Sequence, residues 1–303
     1  MSRLCHYTSC VLIIFLCDLY LWEDVLRPHH EGVQLVSPET ECGGPQAIDS
    51  LSQGNTSSGH RVLLIAMALG KAYLEEYNQV MRTVHQRYAA RHGYDFKVVT
   101  RNIGNSTDIL SFPKALLVTL PCAKTYDFLV YVDGDVWIRK DAPPIHLAID
   151  FEDKVGLVDE YAQPTPVLRK LYQRERNYHD RSAEEYYRLA GFTLNTTLVL
   201  NTGVMVLQPR KHRALFERIY NRHFTSHHSR GKHFEQSAIG YELQVSGLFK
   251  LLPSDWNGIW ALHSFFNKRL TPSDFVKRHS FSHFTSRRSF GPEVQMQLLK
   301  NGL

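Results

Sequence analysis

No block of like charge runs through this chain, and no apolar stretch reaches the roughly 20 residues that a spanning helix wants. The first absence matters because the net charge of +5 is spread along the sequence. Nothing forms a basic arm for nucleic acid, so no nucleic-acid partner is expected. Cysteine is also scarce. Of five, Cys5, Cys10 and Cys17 precede or sit in the N-terminal apolar run, which leaves Cys42 and Cys122. These two either pair, tying the N-terminal region to the rest, or stay as one free and one buried thiol. No internal repeat is visible, and no small-x-small cleavage site follows the apolar run.

What the N-terminus does have is an apolar segment, 9–22, interrupted by Asp18 and preceded by Arg3 and His6. It is shorter than a standard span, so a cleaved signal peptide competes with an uncleaved anchor. The missing cleavage site favours the anchor. The expected organisation is a short cytosolic tail at 1–8, a signal-anchor at 9–22, an unstructured stem at 23–60 and a folded domain at 61–303. Three Asn-x-Ser/Thr sequons, at Asn55, Asn105 and Asn195, agree with a domain facing a secretory lumen.

From Arg61 onward, strand and helix patterns alternate. The apolar runs 62–67, 96–99, 128–132 and 155–158, with 198–200 and 204–207, predict strands buried on both faces. Helical spacing over 73–92 ends at Gly93, a C′ glycine. Residues 114–124 predict a second helix with Pro113 in its first turn. A polar helical insertion is expected over 167–189, and amphipathic helix over 215–223. The alternation argues for an α/β sandwich around a mostly parallel sheet. In such sheets ligands sit at the carboxyl ends of strands.

Asp133-Gly134-Asp135 stands at one such end, straight after the strand 128–132. Two carboxylates one residue apart suit a hard divalent cation that shares its shell with phosphate. A solvated Asp-Gly-Asp turn is the ordinary alternative. The apolar strand before the motif and Val136-Trp137 after it favour the metal.

The motifs come in an order that resembles the GT-A nucleotide-diphospho-sugar transferases. They are most similar to the retaining glycosyltransferase families 8 and 34, which include glycogenin and bacterial galactosyltransferases. The resemblance covers 61–292. It rests on His92-Gly93-Tyr94-Asp95-Phe96, on Lys114, on Asp133-Gly134-Asp135, on Asn201-Thr202-Gly203-Val204-Met205, on Glu235-Gln236 and on His283-Phe284. It implies a GT-A, Rossmann-like catalytic domain and transfer of a hexose or pentose from a nucleotide-diphosphate sugar to a glycan or glycoconjugate hydroxyl, with retention of configuration. A UDP-sugar is the favoured donor, with GDP-mannose open. The implied cofactor is Mn²⁺ or Mg²⁺ on Asp133, Asp135 and His283, with His279 as the nearby alternative. With the N-terminal anchor, the resemblance places the chain as a single-pass type II protein of the Golgi or endoplasmic reticulum membrane.

The same resemblance implies roles for further residues. Gln236, Glu235 and Asn201 are the candidate catalytic groups. Lys114, Gly203, Asp159, Asp255, Trp256 and Arg287 are candidates for binding donor or acceptor. Glu235 and Gln236 are also ordinary first-turn helix residues, and Trp256 is as readily a buried tryptophan as a sugar platform. The family pattern carries Gly and Lys after its histidine, whereas this chain has Ser286 and Arg287. Two other classes compete. A haloacid-dehalogenase phosphatase also follows a strand with Asp-x-Asp, but places the motif early and has Thr or Val where this chain has Trp137. The other is a lumenal carbohydrate-binding relative without turnover.

Overall fold

In the first strand, β1 (Val62–Met67), successive side chains enter two different cores. Val62, Leu64 and Ala66 join one cluster, and Leu63 and Ile65 join the other. That is the period-two geometry of a strand covered on both faces, and it explains an apolar run without polar alternation. These details come from a computed structural model, which describes residues 33–38, 41, 59–104, 111–176, 182–225, 234–285 and 290–303.

After β1, the expected single helix over 73–92 is broken in two. Helix α1 (Lys71–Gln79) and α2 (Met81–His92) meet at Val80, whose φ of −140° leaves the helical region. Gly93 caps α2 in the left-handed conformation, φ 67°, as its C′ position anticipates. Strand β2 (Asp95–Val99) follows. The helix expected over 114–124 consists of two 3-10 turns, Phe112–Thr119 and Pro121–Thr125, because Pro121 cannot continue a helical ladder. Next come β3 (Phe128–Val132), β4 (Val136–Ile138) and β5 (Val155–Asp159). The insertion holds α3 (Pro166–Glu175) and α4 (Ala183–Leu189). Where two short strands were expected there is one, β6 (Leu200–Leu207). The remaining elements are α5 (Pro209–His223), α6 (Phe234–Ser246), β7 (Phe249–Leu251), β8 (Gly258–Ile259), α7 (Trp260–Phe266), α8 (Pro272–Arg278), β9 (Phe281–His283) and α9 (Pro292–Lys300).

The main sheet has six strands in the order β2-β1-β3-β6-β5-β7. It is mostly parallel; β6 alone runs against both its neighbours. Helices α1 and α2 cover one face through Tyr77, Val84 and Tyr88. The first 3-10 turn with α5 and α6 covers the other, through Phe112, Phe216 and Ile239. A second sheet, β4-β9-β8, sits beside the end of β3. It brings the late residue His283 opposite Val136, one residue after the Asp-Gly-Asp turn.

Two expectations about the N-terminal part need revision. The single-pass topology and its membrane location are not upheld, because no helix among the described residues is long and apolar enough to cross a membrane. The segment 9–22, and the sequons at Asn55 and Asn105, lie outside the described residues. Part of the segment read as an unstructured stem is docked. Leu35 bridges Asn102 in parallel, and Val36 N donates to Asn102 O at 3.0 Å. Glu41 is buried, with Lys97 Nζ 3.4 Å and Arg101 Nε 3.0 Å away. Cys122 is disulfide-bonded, and every other cysteine lies outside the described residues.

Candidate active site

Strand β3 delivers the first carboxylate. The turn after it is tight: Val136 N donates to Asp133 O at 3.1 Å, and Asp133 N donates to Gly203 O at 2.8 Å on the neighbouring β6. Gly134 is required by a close approach, since a Cβ there would collide with the Tyr73 hydroxyl of α1. The Tyr131 hydroxyl donates to Asp133 Oδ1. Burial first, and then Asp133, push the Tyr131 phenol well above its ordinary pKa, so it stays a donor.

Strand β9 brings the third group. His283 Nε2 lies 3.3 Å from Asp135 Oδ1 and 3.9 Å from Asp133 Oδ2. One ligand atom from each of the three residues falls within 4.8 Å of the others. Two carboxylate oxygens and one imidazole nitrogen form a donor set that fits Mn²⁺ or a similar hard-to-borderline divalent ion. Burial alone would lower the His283 pKa, but Asp135 and then Asp133 outweigh it and hold the ring above its usual value. Phe284, the next residue, does not pack on this ring. Instead it stacks on Phe290 at 3.8 Å, and the ring rests against Gly203, where a Cβ would lie 2.6 Å from His283 Nδ1. His279, the sequence alternative, is elsewhere: its Nδ1 lies 3.0 Å from Phe275 O, and its ring packs on Phe275 and Gly258.

Lys114 closes the other side. Its Nζ lies 3.3 Å from Asp133 Oδ1 and 3.5 Å from Glu235 Oε1, at the first turn of α6. Burial would lower its pKa, yet Asp133 and Glu235 outweigh that and keep the ammonium charged. Asp133 shows the reciprocal balance: burial raises its pKa, and Lys114 and then His283 bring it below the usual carboxylate value.

A second constellation adjoins the first, and its hub was not foreseen. Glu160 Oε2 accepts from Asn201 Nδ2 at 3.0 Å and from Gln236 Nε2 at 3.1 Å. Its Oε1 accepts from Arg169 Nη2 of α3 at 2.9 Å. Gln236 Nε2 also donates to the Tyr186 hydroxyl at 3.1 Å. The sequence expectation fell on the neighbour, Asp159. The structure uses Asp159 as a local cap, accepting from Tyr161 N at 2.9 Å and Val199 N at 3.1 Å. The acid directly after the apolar run 155–158 is Asp159, so the reasoning that singled out Asp133 stops one residue short of Glu160.

The segment around 255 shows a similar offset. Asp255 accepts from Ser280 Oγ at 3.2 Å, and Trp256 is buried edge-on to Phe281, so neither faces the carboxylate cluster. Asn257, one residue on, is fully buried and reaches both Asn201 and His283. Arg287 lies outside the described residues. Beside the cluster of Asp133, Asp135 and His283, a cleft of about 150 Å³ is lined by Tyr73, Glu76, Gly134, Asp135 and Gln295.

No family model and no curated protein matches the sequence. Solved structures do. A glycosyltransferase involved in glycosylation of the major capsid of PBCV-1 is similar at a TM-score of 0.52 and 14% identity, over 79% of this chain and 98% of that one. The galactosyltransferase LgtC, in complex with donor and acceptor sugar analogs, is similar at 0.50 and 13%, over 79% and 95%. The bifunctional glycosyltransferase WbbM is similar at 0.51 and 11%, over 80% of this chain and 50% of that chain. The fold is that of the GT-A glycosyltransferases. In this GT-A domain the carboxyl ends of β3 and β5 supply Asp133 and Glu160, and the antiparallel β6 runs between them carrying Asn201 and Gly203.

Proposed function

We propose that the domain 61–303 is a metal-dependent glycosyltransferase that moves a hexose or pentose from a nucleotide-diphosphate sugar to a glycan or glycoconjugate hydroxyl. The observation that carries this reading is the convergence of Asp133, Asp135 and His283 from two separate sheets onto one point, with a charged Lys114 at its edge. A purely structural turn would not need a buried histidine and a buried lysine aimed at it. The GT-A fold agrees with the reading.

The residues divide into two groups by chemistry. Asp133, Asp135 and His283 would hold Mn²⁺ or Mg²⁺, which when bound supplies Lewis-acid neutralisation of charge on a departing diphosphate. Lys114 adds a fixed positive charge whose pKa is kept high, so it remains a cation throughout turnover. Gln236, Glu235 and Asn201 line the sugar side. Glu160 holds the amides of Gln236 and Asn201 in one orientation before any ligand arrives, which lowers the ordering cost of binding. The acceptor oxygen bonds to the anomeric carbon as its bond to the diphosphate oxygen breaks. The acceptor proton leaves with the nucleoside diphosphate. Retention of configuration is part of the proposal and rests on the resemblance to families 8 and 34. A UDP-sugar is the favoured donor, ahead of GDP-mannose.

A thermal-shift panel of UDP, GDP, ADP and CDP, each with and without Mn²⁺, tests the reading. One diphosphate stabilising the protein only when Mn²⁺ is present is the expected outcome, since ligands that bind the native state raise its apparent stability. No diphosphate shifting the midpoint, with or without metal, would contradict it.

A further inference from the structure

Glu160 and His283 sit at opposite ends of one hydrogen-bonded chain, and every link in it has a fixed direction. An ionised carboxylate only accepts, so the atom of Asn201 facing Glu160 at 3.0 Å must be the Nδ2 donor. The far side of the same amide confirms this. Gly203 N–H donates to Asn201 Oδ1 at 2.9 Å, and a backbone N–H cannot accept. With Oδ1 of Asn201 established as an acceptor, Asn257 must present its own NH₂ there. Asn257 Nδ2 donates to Asn201 Oδ1 at 2.8 Å. That leaves Asn257 Oδ1 facing the histidine, 3.1 Å from His283 Nδ1.

Asn257 is fully buried, and its backbone oxygen is taken by Gln163 Nε2 at 3.0 Å. Rotating its amide would set its NH₂ against the ring nitrogen and its oxygen against the oxygen of Asn201, an uncompensated buried contact. Among the described residues, the acceptor offered to His283 Nδ1 is therefore Asn257 Oδ1. A proton on Nδ1 leaves the lone pair of a neutral ring on Nε2, the nitrogen that faces Asp133 and Asp135.

We infer that Asn257, itself oriented by Asn201 and Glu160, is a positioning residue that holds the proton of His283 on Nδ1 and so presents Nε2 as a metal-ligating nitrogen. The inference rests on the metal reading above: Asp135 Oδ1, 3.3 Å from Nε2, is a second acceptor for the metal-free ring, and a bound cation removes that competition. It also gives Glu160 a second use: the carboxylate that sets the amide of Gln236 sets the direction of the whole relay. Metal-bound histidines commonly donate their second ring nitrogen to a neighbouring group, and removing that partner costs roughly 10–100-fold in metal affinity.

The test compares Asn257→Leu with Asn257→Asp in the full chain. Both lose the donor to Asn201; only Asp keeps an acceptor beside Nδ1. Two readouts are needed: nitrogen-15 spectra of the His283 ring in protein loaded with diamagnetic Mg²⁺, assigned with a His283→Ala control, and Mn²⁺ affinity from paramagnetic resonance of the free ion. The wild type and Asn257→Asp are expected to carry the Nδ1 proton. Asn257→Leu is expected to move it to Nε2 and weaken Mn²⁺ binding about 10-fold or more. Glu160→Gln, at the far end, is expected to weaken Mn²⁺ binding in the same direction, and it keeps the test open if neither Asn257 variant folds. An Nε2 proton on neutral His283 in the wild type would overturn the inference. So would Asn257→Leu or Glu160→Gln binding Mn²⁺ as tightly as wild type while His283→Ala does not, and then the metal reading would survive. No Mn²⁺ binding in wild type would instead sink the metal reading and the inference with it.

Discussion

His283 Nε2 stands 3.3 Å from Asp135 Oδ1 because β9 pairs antiparallel with β4 and sets His283 opposite Val136. The link is reinforced at the next residue, where Phe284 N donates to Asp135 O at 3.0 Å. The strand register thus decides which late histidine meets the carboxylates, and a shift by one residue would turn His283 away.

The first prediction concerns the space that register leaves. Gly203→Ala places a methyl group against the His283 ring. Alanine suits a strand better than glycine by roughly 0.5–1 kcal/mol, so a loss of function would not come from backbone conformation. Mn²⁺ affinity should fall severalfold, and displacing the buried ring should cost about 1–3 kcal/mol of stability. Unchanged affinity would show that the ring position does not matter.

Lys114 offers a stability test. Its removal leaves Asp133 and Glu235 facing each other in a mostly buried site. Breaking a buried ion pair by deleting one partner costs roughly 3–5 kcal/mol. Asp133 keeps a quarter of its side chain exposed, so the lower end applies. Lys114→Met should therefore destabilise the metal-free protein by about 3 kcal/mol in urea unfolding. Adding Glu235→Gln should restore part of the loss. A neutral effect of Lys114→Met would contradict the electrostatic role.

The pH dependence of metal binding has a definite sign. His283 must be unprotonated at Nε2 to bind a cation. In the metal-free protein its pKa is raised, against burial, by Asp135 and Asp133. Mn²⁺ affinity should therefore begin to fall at a pH above the ordinary histidine value of about 6.5 as the solution is acidified. The same raised pKa stabilises the metal-free fold below the unfolded value, and that increment is lost as pH rises through the folded one. A flat Mn²⁺ affinity between pH 8 and 6 would count against His283 as a ligand.

Acid should also unfold this protein through a buried histidine outside the ligand set. His85 is fully buried between the Tyr77 hydroxyl and Val136 O, and burial pushes its pKa down to about 4. Its neutral form contributes stability that is complete above the unfolded value and drains away as pH falls towards the folded one. The shift corresponds to an order of 3 kcal/mol by pH 4. His85→Gln should flatten the decline of the melting temperature between pH 6.5 and 4. An unaltered slope would refute the assignment.

Much of this was legible in the sequence where one residue's neighbours in the chain determine its surroundings. The apolar strand before Asp133 predicted a carboxylate at a strand end, and Gly93 predicted the stop of α2. Residues whose partners arrive from elsewhere were harder. Asp159 stood one position, and Asp255 two, from the residues that enter the site, Glu160 and Asn257. Both of those lie where a strand meets a 3-10 turn, and there the side-chain direction depends on which strand pairs next to it. Asn257 has no local signal at all: its importance comes from His283 and Asn201, far away in sequence. The docking of Glu41 was likewise hidden, since its stabilising partners Lys97 and Arg101 lie on and just after β2. The Pro121 break was readable and was overlooked because apolar spacing continued across it.

The most direct test of the central claim is calorimetric titration of UDP into the full chain, with and without Mn²⁺, in wild type, His283→Ala and His279→Ala. The account predicts UDP binding that depends on Mn²⁺ in wild type and in His279→Ala, and that is lost or weakened about 10-fold or more in His283→Ala. Equal losses in the two variants, or UDP binding that is indifferent to Mn²⁺, would contradict a cation held by Asp133, Asp135 and His283.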